Sequence, residues 1–208
     1  AQITDAVLSR IGPFLDGIVG TDGATSDLYT AIVTNGWKRI ILTNGATCSA
    51  NVTISNDDTW IYATGGIRSF SLGARLITIA ASRCYVRGLR LDSPSSVGFL
   101  ISSGQENILE ACSVVSATSH GFQLTTSGND NVLNCCYAGS CGGDGVKTQS
   151  GAGGVRIFGG MYYGNSGYGV NDSGGGSAII SGNRIASNTT GQVNAGANTV
   201  HANLNVLV

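Results

Sequence analysis

Two carboxylates, Glu106 and Asp130, lie one repeat apart in a chain that has only 12 acidic residues. If the repeats stack as strands, the pair lies near the separation of about 5 Å found between the carboxyl groups of retaining glycosidases. Repulsion between the two charges would raise the pKa of one carboxyl group, giving one acid and one base. Arg83 falls in the same column, so an alternative is a surface stack in which Arg83 neutralises Glu106, a type of exposed contact that contributes little.

A second group of residues surrounds the glycines that open each repeat. One column precedes these glycines and a second, outward-facing column follows them by two positions. The first column consists of Val97, His120, Asp144, Tyr168 and Thr190. The second column consists of Leu100, Gln123, Lys147, Asn171 and Val193. His120 and Asp144 could form a general base, and Gln123, Lys147, Tyr168 and Asn171, together with Arg83, would bind sugar hydroxyls. The alternative interpretation is an ordinary solvated polar face.

The glycines that define these columns recur every 22 to 24 residues, which is typical of stacked-repeat proteins. They are Gly98, Gly121, Gly145, Gly169 and Gly191. Each repeat holds short apolar runs with period-two alternation, too short for helices. The pattern predicts an all-β fold, a right-handed, single-stranded parallel β-helix of about seven coils with a short N-terminal helical cap. Stacked coils lie about 4.8 Å apart, so we expect Phe99, Phe122, Val146 and Val170 to form one core column.

The two ends of the chain differ from the repeats. Apolar residues within 2–20 follow a helical pattern, and Ser26 is expected to cap a helix that ends at Asn35-Gly36. With Trp37–Leu42 as the first strand, the predicted division is a helical cap over 1–36 and a β-helix domain over 37–208. Residues 203–208 alternate apolar and polar side chains without a cap, and strand edges of this kind invite pairing.

Composition excludes several function classes. Charged residues make up 11% of the chain and the net charge is −1, so we expect no nucleic-acid partner. No apolar run approaches the roughly 20 residues of a membrane helix, so no membrane insertion is expected. None of the six cysteines forms a CxxC pair, and we predict no metal and no cofactor. Cys112 and Cys136 are one period apart, which favours a buried ladder, with a disulfide as the alternative.

The segments 27–32, 37–45 and 52–54 resemble the first coils of the pectate-lyase-like β-helix family, in the version found in bacteriophage tailspikes. The glycine-periodic coils fit the same family. The resemblance implies a homotrimer that recognises, and in many members cleaves, bacterial surface polysaccharides. It also implies other virion proteins as partners, and a location in the phage tail of the virion after assembly in the host cytoplasm.

The leading hypothesis is therefore a tailspike-like receptor-binding domain for bacterial polysaccharide, with or without depolymerase activity. The activity would be that of a glycoside hydrolase on capsular or O-antigen polysaccharide. Two alternatives stay open: a non-catalytic trimeric virion protein, such as a decoration or fibre module, and a bacterial polysaccharide lyase or epimerase. A trimer is also favoured by the uncapped C-terminal end and by the outward positions of Leu100 and Val193, since closed symmetry buries such patches.

Overall fold

A computed structural model describes residues 15–21, 23–64, 71–125, 130–173, 177–201 and 206–207. In these residues the chain winds as a parallel β-helix, in which each strand pairs with the strands one coil before and after it. The strands form three sheets, which are numbered by the order in which their first strands occur along the chain. The second sheet has seven strands, in agreement with the predicted number of about seven coils.

Strands are numbered in chain order, and all of their pairings are parallel. The first sheet contains β1 Gly17–Val19, β2 Arg39–Leu42, β4 Trp60–Ala63, β6 Tyr85–Arg87, β9 Ile108–Glu110, β12 Val132–Asn134, β15 Arg156–Phe158, β18 Ile179–Ser181 and β21 Val200–His201. The second contains β3 Val52–Ile54, β5 Ile77–Ala80, β8 Phe99–Ser103, β11 Phe122–Leu124, β14 Val146–Thr148, β17 Tyr168–Asn171 and β20 Gly191–Asn194. The third contains β7 Arg90–Asp92, β10 Ser113–Val115, β13 Tyr137–Gly139, β16 Met161–Tyr163, β19 Arg184–Ala186 and β22 Val206–Leu207.

The bends between sheets are made by residues with a left-handed backbone, and these residues stack in columns. Glycine or a polar residue occupies most of these positions. Glycine avoids the cost of about 1 kcal/mol that a side chain brings to this backbone conformation. The column before the first sheet is Asp58, Arg83, Glu106, Asp130 and Gly154. The column between the first and third sheets is Gly88, Ala111, Cys135, Gly159 and Gly182. The column after the third sheet is Ser93, Ser116, Ser140, Gly164 and Ser187.

The predicted core register is confirmed in the second sheet. Phe99 pairs with Phe122, Phe122 with Val146, and Val146 with Val170, and all four side chains are buried. The rings of Phe99 and Phe122 stack with their centroids 5.4 Å apart. Alternation along each strand therefore sends one set of side chains to the core and the other to the outer face.

The last repeat departs from the predicted register by one residue. Val193 pairs with Val170 and packs against the core, so its predicted outward position is wrong. Asn194 continues the outward column after Asn171, and Gly191 rather than Thr190 stands beside Tyr168. The slip arises because the spacing is 23 residues here, whereas alignment on Gly169 and Gly191 assumes 22.

The helical interpretation of residues 2–20 is wrong for residues 15–20, the part of this segment that the structure describes. Gly17–Val19 forms β1 and pairs with Ile40–Leu42 of β2, while residues 1–14 lie outside the described residues. The first-sheet edge of β2 offers unpaired backbone groups, and pairing with them outweighs a weak local helical preference. The first strand is thus β1, and the strand expected at Trp37–Leu42 is the second and begins at Arg39.

The predicted second helix exists but differs in its cap. Leu28 to Thr34 is helical, and Thr30–Thr34 has π-helical geometry. Asp27, not Ser26, caps it, since the Asp27 carboxylate accepts the Thr30 N–H at 3.0 Å. The helix ends at Asn35, and Gly36 follows with a φ of 68°, as the sequence predicted.

The predicted cysteine ladder is confirmed. Cys112 and Cys136 are buried in neighbouring coils, and all six cysteines are free thiols. Burial raises the pKa of Cys112 to about 12, which keeps this thiol protonated as a small apolar core group. Within the described residues, no helix is both long and apolar enough to cross a membrane.

Candidate functional site

The structure brings the predicted His120 and Asp144 together just before β11 and β14. The Asp144 backbone N–H donates to His120 Nδ1 at 2.9 Å, and Asp144 Oδ2 lies 3.5 Å from the same nitrogen. Because Nδ1 accepts a hydrogen bond, the neutral ring carries its proton on Nε2. Burial lowers the pKa of His120 and nearby Lys147 lowers it further, while Asp144 opposes this shift.

The Asp144 carboxylate is almost fully engaged with the next coil. Its Oδ1 accepts the Tyr168 N–H at 2.7 Å, and its Oδ2 accepts an N–H of the Asn171 amide at 2.9 Å. The Asp144 side chain is only 8% exposed. A carboxylate that accepts two such bonds fixes the positions of consecutive coils. This geometry supports a structural role for Asp144, and its catalytic role stays a prediction.

The outward column of the second sheet follows the predicted order as far as Asn171. Gln123 pairs with Lys147, and Lys147 pairs with Asn171. Lys147 Nζ donates to Ser173 Oγ at 3.3 Å, whereas the Asn171 amide is buried against Asp144. The half-buried Tyr168 lies one coil beyond Asp144. These predicted binding residues therefore share one sheet, but Asn171 offers little of its amide to a ligand.

Glu106 and Asp130 occupy equivalent bends in neighbouring coils, as predicted, with φ angles of 60° and 57°. Both are exposed. Arg156 Nη2 lies 3.3 Å from Asp130 Oδ1. Each bend comes two residues before a first-sheet strand, so the carboxylates border the outer face of that sheet.

The alternative in which Arg83 neutralises Glu106 is wrong. Arg83 turns to the preceding coil, where its Nε lies 2.8 Å from Asp58 Oδ1 and its Nη2 lies 3.3 Å from Asp57 Oδ2. The hydrogen bond from Arg83 holds the pKa of Asp58 below its ordinary value. The preceding coil offers Arg83 two carboxylate partners, which explains why its side chain turns there and not towards Glu106.

Sequence reasoning missed an aromatic groove on the outer face of the first sheet. Trp60 and Tyr62 project from β4 and Tyr85 projects from β6, directly beside Trp60. Trp60 is 57% exposed and Tyr62 is 40% exposed. With Leu15, Arg39, Ile40 and Ile41, these rings line a groove of about 330 Å³. Exposed apolar surface of this kind marks sites of binding, and the volume falls within the usual range for ligand sites.

Charged groups fix the rings at one side of this groove. The Arg87 guanidinium lies 5.2 Å from the centre of the Tyr62 ring, within the range of a cation–π contact. The Tyr85 hydroxyl donates to Glu110 Oε2 at 2.7 Å, and Arg87 Nε lies 3.8 Å from Glu110 Oε1. Partial burial and the bond to Glu110 both raise the pKa of Tyr85, so its hydroxyl stays protonated.

A signal for this groove was present in the sequence. Alternation in Trp60-Ile61-Tyr62 and Tyr85-Val86-Arg87 sends both Tyr62 and Arg87 outward, one coil apart. The column of Arg83 and Glu106 extends the repeat back to the strand of Tyr85, but not to the strand of Trp60 one coil earlier, so the neighbouring rings were missed.

The residues described give no sign of a metal centre. No group of three or more His, Cys, Asp or Glu side chains in this part of the chain could hold an ion.

Several solved structures share this fold. The catalytic domain of a GH87 α-1,3-glucanase in complex with nigerose is 13% identical and has a TM-score of 0.61, with 85% of this chain and 40% of that chain covered. An alginate lyase from Paenibacillus sp. str. FPU-7 is 11% identical with a TM-score of 0.56, covering 77% and 74%. The periplasmic alginate epimerase AlgG is 12% identical with a TM-score of 0.50, covering 91% and 57%.

At these identities the likeness concerns the fold alone, and the present chain spans less than half of the glucanase domain. A comparison with curated proteins finds no match. A family model described as "Right handed beta helix region" matches residues 16–185. That range begins just before β1 and ends within β19. It contains the strands of the aromatic groove, and it confirms the predicted handedness. The chain belongs to the right-handed β-helix family.

Proposed function

We propose that this β-helix binds an extended bacterial surface polysaccharide along the outer face of its first sheet, as the receptor-binding part of a phage tailspike-like protein. The observation that carries the proposal is the groove formed by Trp60, Tyr62 and Tyr85. Aromatic ring faces pack well against the C–H faces of sugar rings, and each ring adds a large contact area. Burial of these exposed rings by water-soluble sugars would remove apolar surface from water.

The direction of the groove suits a polymer. Trp60 and Tyr85 belong to successive coils, and their rings follow each other along the axis of the β-helix with centroids 6.1 Å apart and an angle of 62° between the ring planes. Beyond them the same column continues through Ile108 and Val132. Successive sugars of one chain can therefore meet successive coils.

Similar folds also support a carbohydrate ligand. The glucanase, the alginate lyase and the alginate epimerase bear the names of proteins that act on polysaccharides. The tailspike identity, the virion partners and the location in a phage tail depend on the resemblance of the first coils, residues 27–54. They belong to the proposal together with the ligand.

The proposal is tested with immobilised capsular and O-antigen polysaccharides. Wild-type protein should bind at least one of them, and Trp60→Ala and Tyr85→Ala should each weaken that binding at least tenfold, or about 1.4 kcal/mol. Tyr163→Ala is the matched control, because Tyr163 is an aromatic residue of similar exposure on the third sheet. Absence of binding to every polysaccharide, or equal binding by the Trp60 and Tyr163 variants, would contradict the proposal.

Cleavage of the bound polysaccharide is a second candidate function. The observation that favours it is the position of Glu106 and Asp130 at bends that border the same face as the aromatic rings. Release of reducing ends by wild-type protein, lost in both Glu106→Gln and Asp130→Asn with unchanged melting temperature, would support hydrolysis by this pair. Release of unsaturated products instead would favour the lyase alternative, and release of neither leaves binding as the function.

A further inference from the structure

A second pocket lies on the outer face of the third sheet, away from the aromatic groove. It spans three successive coils and has a volume of about 210 Å³. Arg90 of β7, Ser113 and Val115 of β10, and Tyr137 of β13 line it. Arg90, Ser113 and Tyr137 are direct neighbours in one column of the sheet. The proposed polysaccharide site uses none of these residues.

Ser113 is the unusual member of this pocket. Its side chain is buried, and its Oγ has no hydrogen-bond partner among the described residues. A buried hydroxyl without a partner costs about 1–3 kcal/mol, and native proteins rarely leave one unexplained. Arg90 and Tyr137 flank Ser113 on its two sides, so a ligand reaches this hydroxyl, and gives it a partner, when one of these side chains moves aside.

Arg90 brings hydrogen-bond donors to the pocket without a net charge. Its Nε and Nη2 bind Asp92 Oδ1 at 2.9 and 2.7 Å, and Asp92 also accepts a hydrogen bond from Ser71. These bonds leave Nη1 as a donor and hold the guanidinium in place. Because Asp92 balances the charge of Arg90, an anion gains little here, whereas the oxygen of a neutral hydroxyl group can accept from Nη1.

Tyr137 and Val115 form the less polar side of the pocket. The Tyr137 hydroxyl reaches over Gly139, where an added Cβ would lie only 2.2 Å from it. The absence of a side chain at Gly139 therefore sets the position of the ring. One aromatic face and one branched apolar side chain, opposite several hydrogen-bonding groups, match the two kinds of surface on a sugar ring.

We propose that this pocket binds one neutral sugar unit, at a site separate from the aromatic groove. The small volume limits the ligand to a single ring, such as a terminal unit or a side branch. The unpartnered Ser113 hydroxyl and the Nη1 of Arg90 bind its hydroxyl groups, and the Tyr137 ring packs on its C–H face.

The test is a titration of the full chain, followed by the amide NMR signals of Ser113, Val115, Tyr137 and Gly139. The probes are the methyl glycosides of glucose, galactose, mannose and N-acetylglucosamine, with glucuronic acid as the charged comparison. At least one neutral glycoside should shift these signals and saturate in the millimolar range, and glucuronic acid should bind more weakly. If no neutral glycoside shifts them, the proposal is overturned.

Two variants separate a binding role from a structural one. Ser113→Ala removes the unpartnered hydroxyl, so it should leave the melting temperature unchanged or higher while weakening glycoside binding several-fold. Gly139→Ala should displace the Tyr137 ring and weaken binding as well. Trp60→Ala is the control and should leave these shifts intact. If Ser113→Ala binds the glycoside as well as the wild-type protein does, the proposal is overturned. Loss of polysaccharide binding in Trp60→Ala, with glycoside binding intact, concerns only the proposed function of the groove.

Discussion

At the scale of single residues, similar side chains have different roles in different columns of the β-helix. His120 and Asp144 form a ladder that joins three coils through hydrogen bonds to backbone N–H groups. Glu106 and Asp130 remain exposed at bends. Trp60 and Tyr62 are exposed on a flat sheet face although their burial would be favourable. A bound ligand could bury these exposed rings.

The His120 ladder predicts how stability depends on pH. The pKa of His120 is lower in the folded state, chiefly because of burial, so the unfolded state binds the proton more readily. The free energy of unfolding should therefore be highest above the unfolded pKa of about 6.5 and should fall as the pH drops below it. In His120→Asn, the amide oxygen replaces Nδ1 as acceptor and does not titrate, so this fall should be smaller.

Urea unfolding of both proteins between pH of about 5 and 7 measures the difference. Comparison with the variant removes the contribution of the second histidine, His201, which both proteins share. Equal pH dependence in the two proteins would contradict the ladder.

The core register predicts a second result at this scale. Phe122 is fully buried and stacks on Phe99, so Phe122→Ala should lower the free energy of unfolding by about 3–5 kcal/mol. Gln123→Ala, at the adjacent outward position, should change it by less than about 0.5 kcal/mol. Denaturant unfolding of the two variants checks the alternation, which would be refuted by equal losses.

At the scale of elements, the fold depends on short strands and on bends that repeat in register. Period-two alternation together with a repeat of 23 to 24 residues was sufficient to predict the column from Phe99 to Val170, because the residue after the repeat glycine is the paired core residue in each of these coils. The prediction failed at Val193, because this core residue lies two positions after Gly191 instead of one. A one-residue slip moves a side chain from the outer face to the core.

The N-terminal region and the groove were missed for other reasons. Apolar residues near Ile18 and Val19 fit a helix or a strand equally well over so short a segment, and only pairing with β2 decides between them. The groove requires strands β4 and β6 to be placed side by side, before the glycine repeat begins. The partners of Arg83 depend on the direction of a long flexible side chain, which no repeat pattern specifies.

The bends make a testable prediction about backbone geometry. Gly164 has a φ of 65° and open space where a Cβ would lie, so Gly164→Ala should lower the free energy of unfolding by about 1 kcal/mol through backbone strain alone. Ser140 occupies the equivalent bend one coil earlier with a φ of 56° and is exposed. Ser140→Gly should shift stability in the opposite direction. Thermal unfolding of both variants provides the measurement, and shifts of the same sign would contradict this account of the bends.

At the scale of the whole molecule, an apolar strip remains uncovered on the first sheet. Phe158, Ile179 and Val200 are exposed there, beyond the aromatic groove along the axis. A homotrimer with parallel axes would bury this strip by closed symmetry. The outward position of Leu100 remains an argument for association, whereas that of Val193 does not, and residues 202–205 and 208 at the C-terminal end lie outside the described residues.

Sedimentation equilibrium tests the proposed trimer. We expect a mass three times that of the 21.1 kDa chain at micromolar concentration. A lower mass is expected for Val200→Asp, because a charge beside Ile179 in the strip would be buried without a partner. Tyr163→Asp, on the outer face of the third sheet, is the control and should keep the wild-type mass. A wild-type mass of one chain would contradict the trimer. It would favour a monomeric carbohydrate-binding protein over a tailspike.

The central claim is that the outer face of the first sheet is the polysaccharide-binding surface. Its most direct test is a crystal structure of the protein with an oligosaccharide from the polysaccharide that binds most tightly. The account predicts sugar rings packed on the faces of Trp60 and Tyr85, with the oligosaccharide running along the axis of the β-helix. An oligosaccharide bound only on the second sheet, beside Gln123 and Lys147, with Trp60 still exposed, would contradict it.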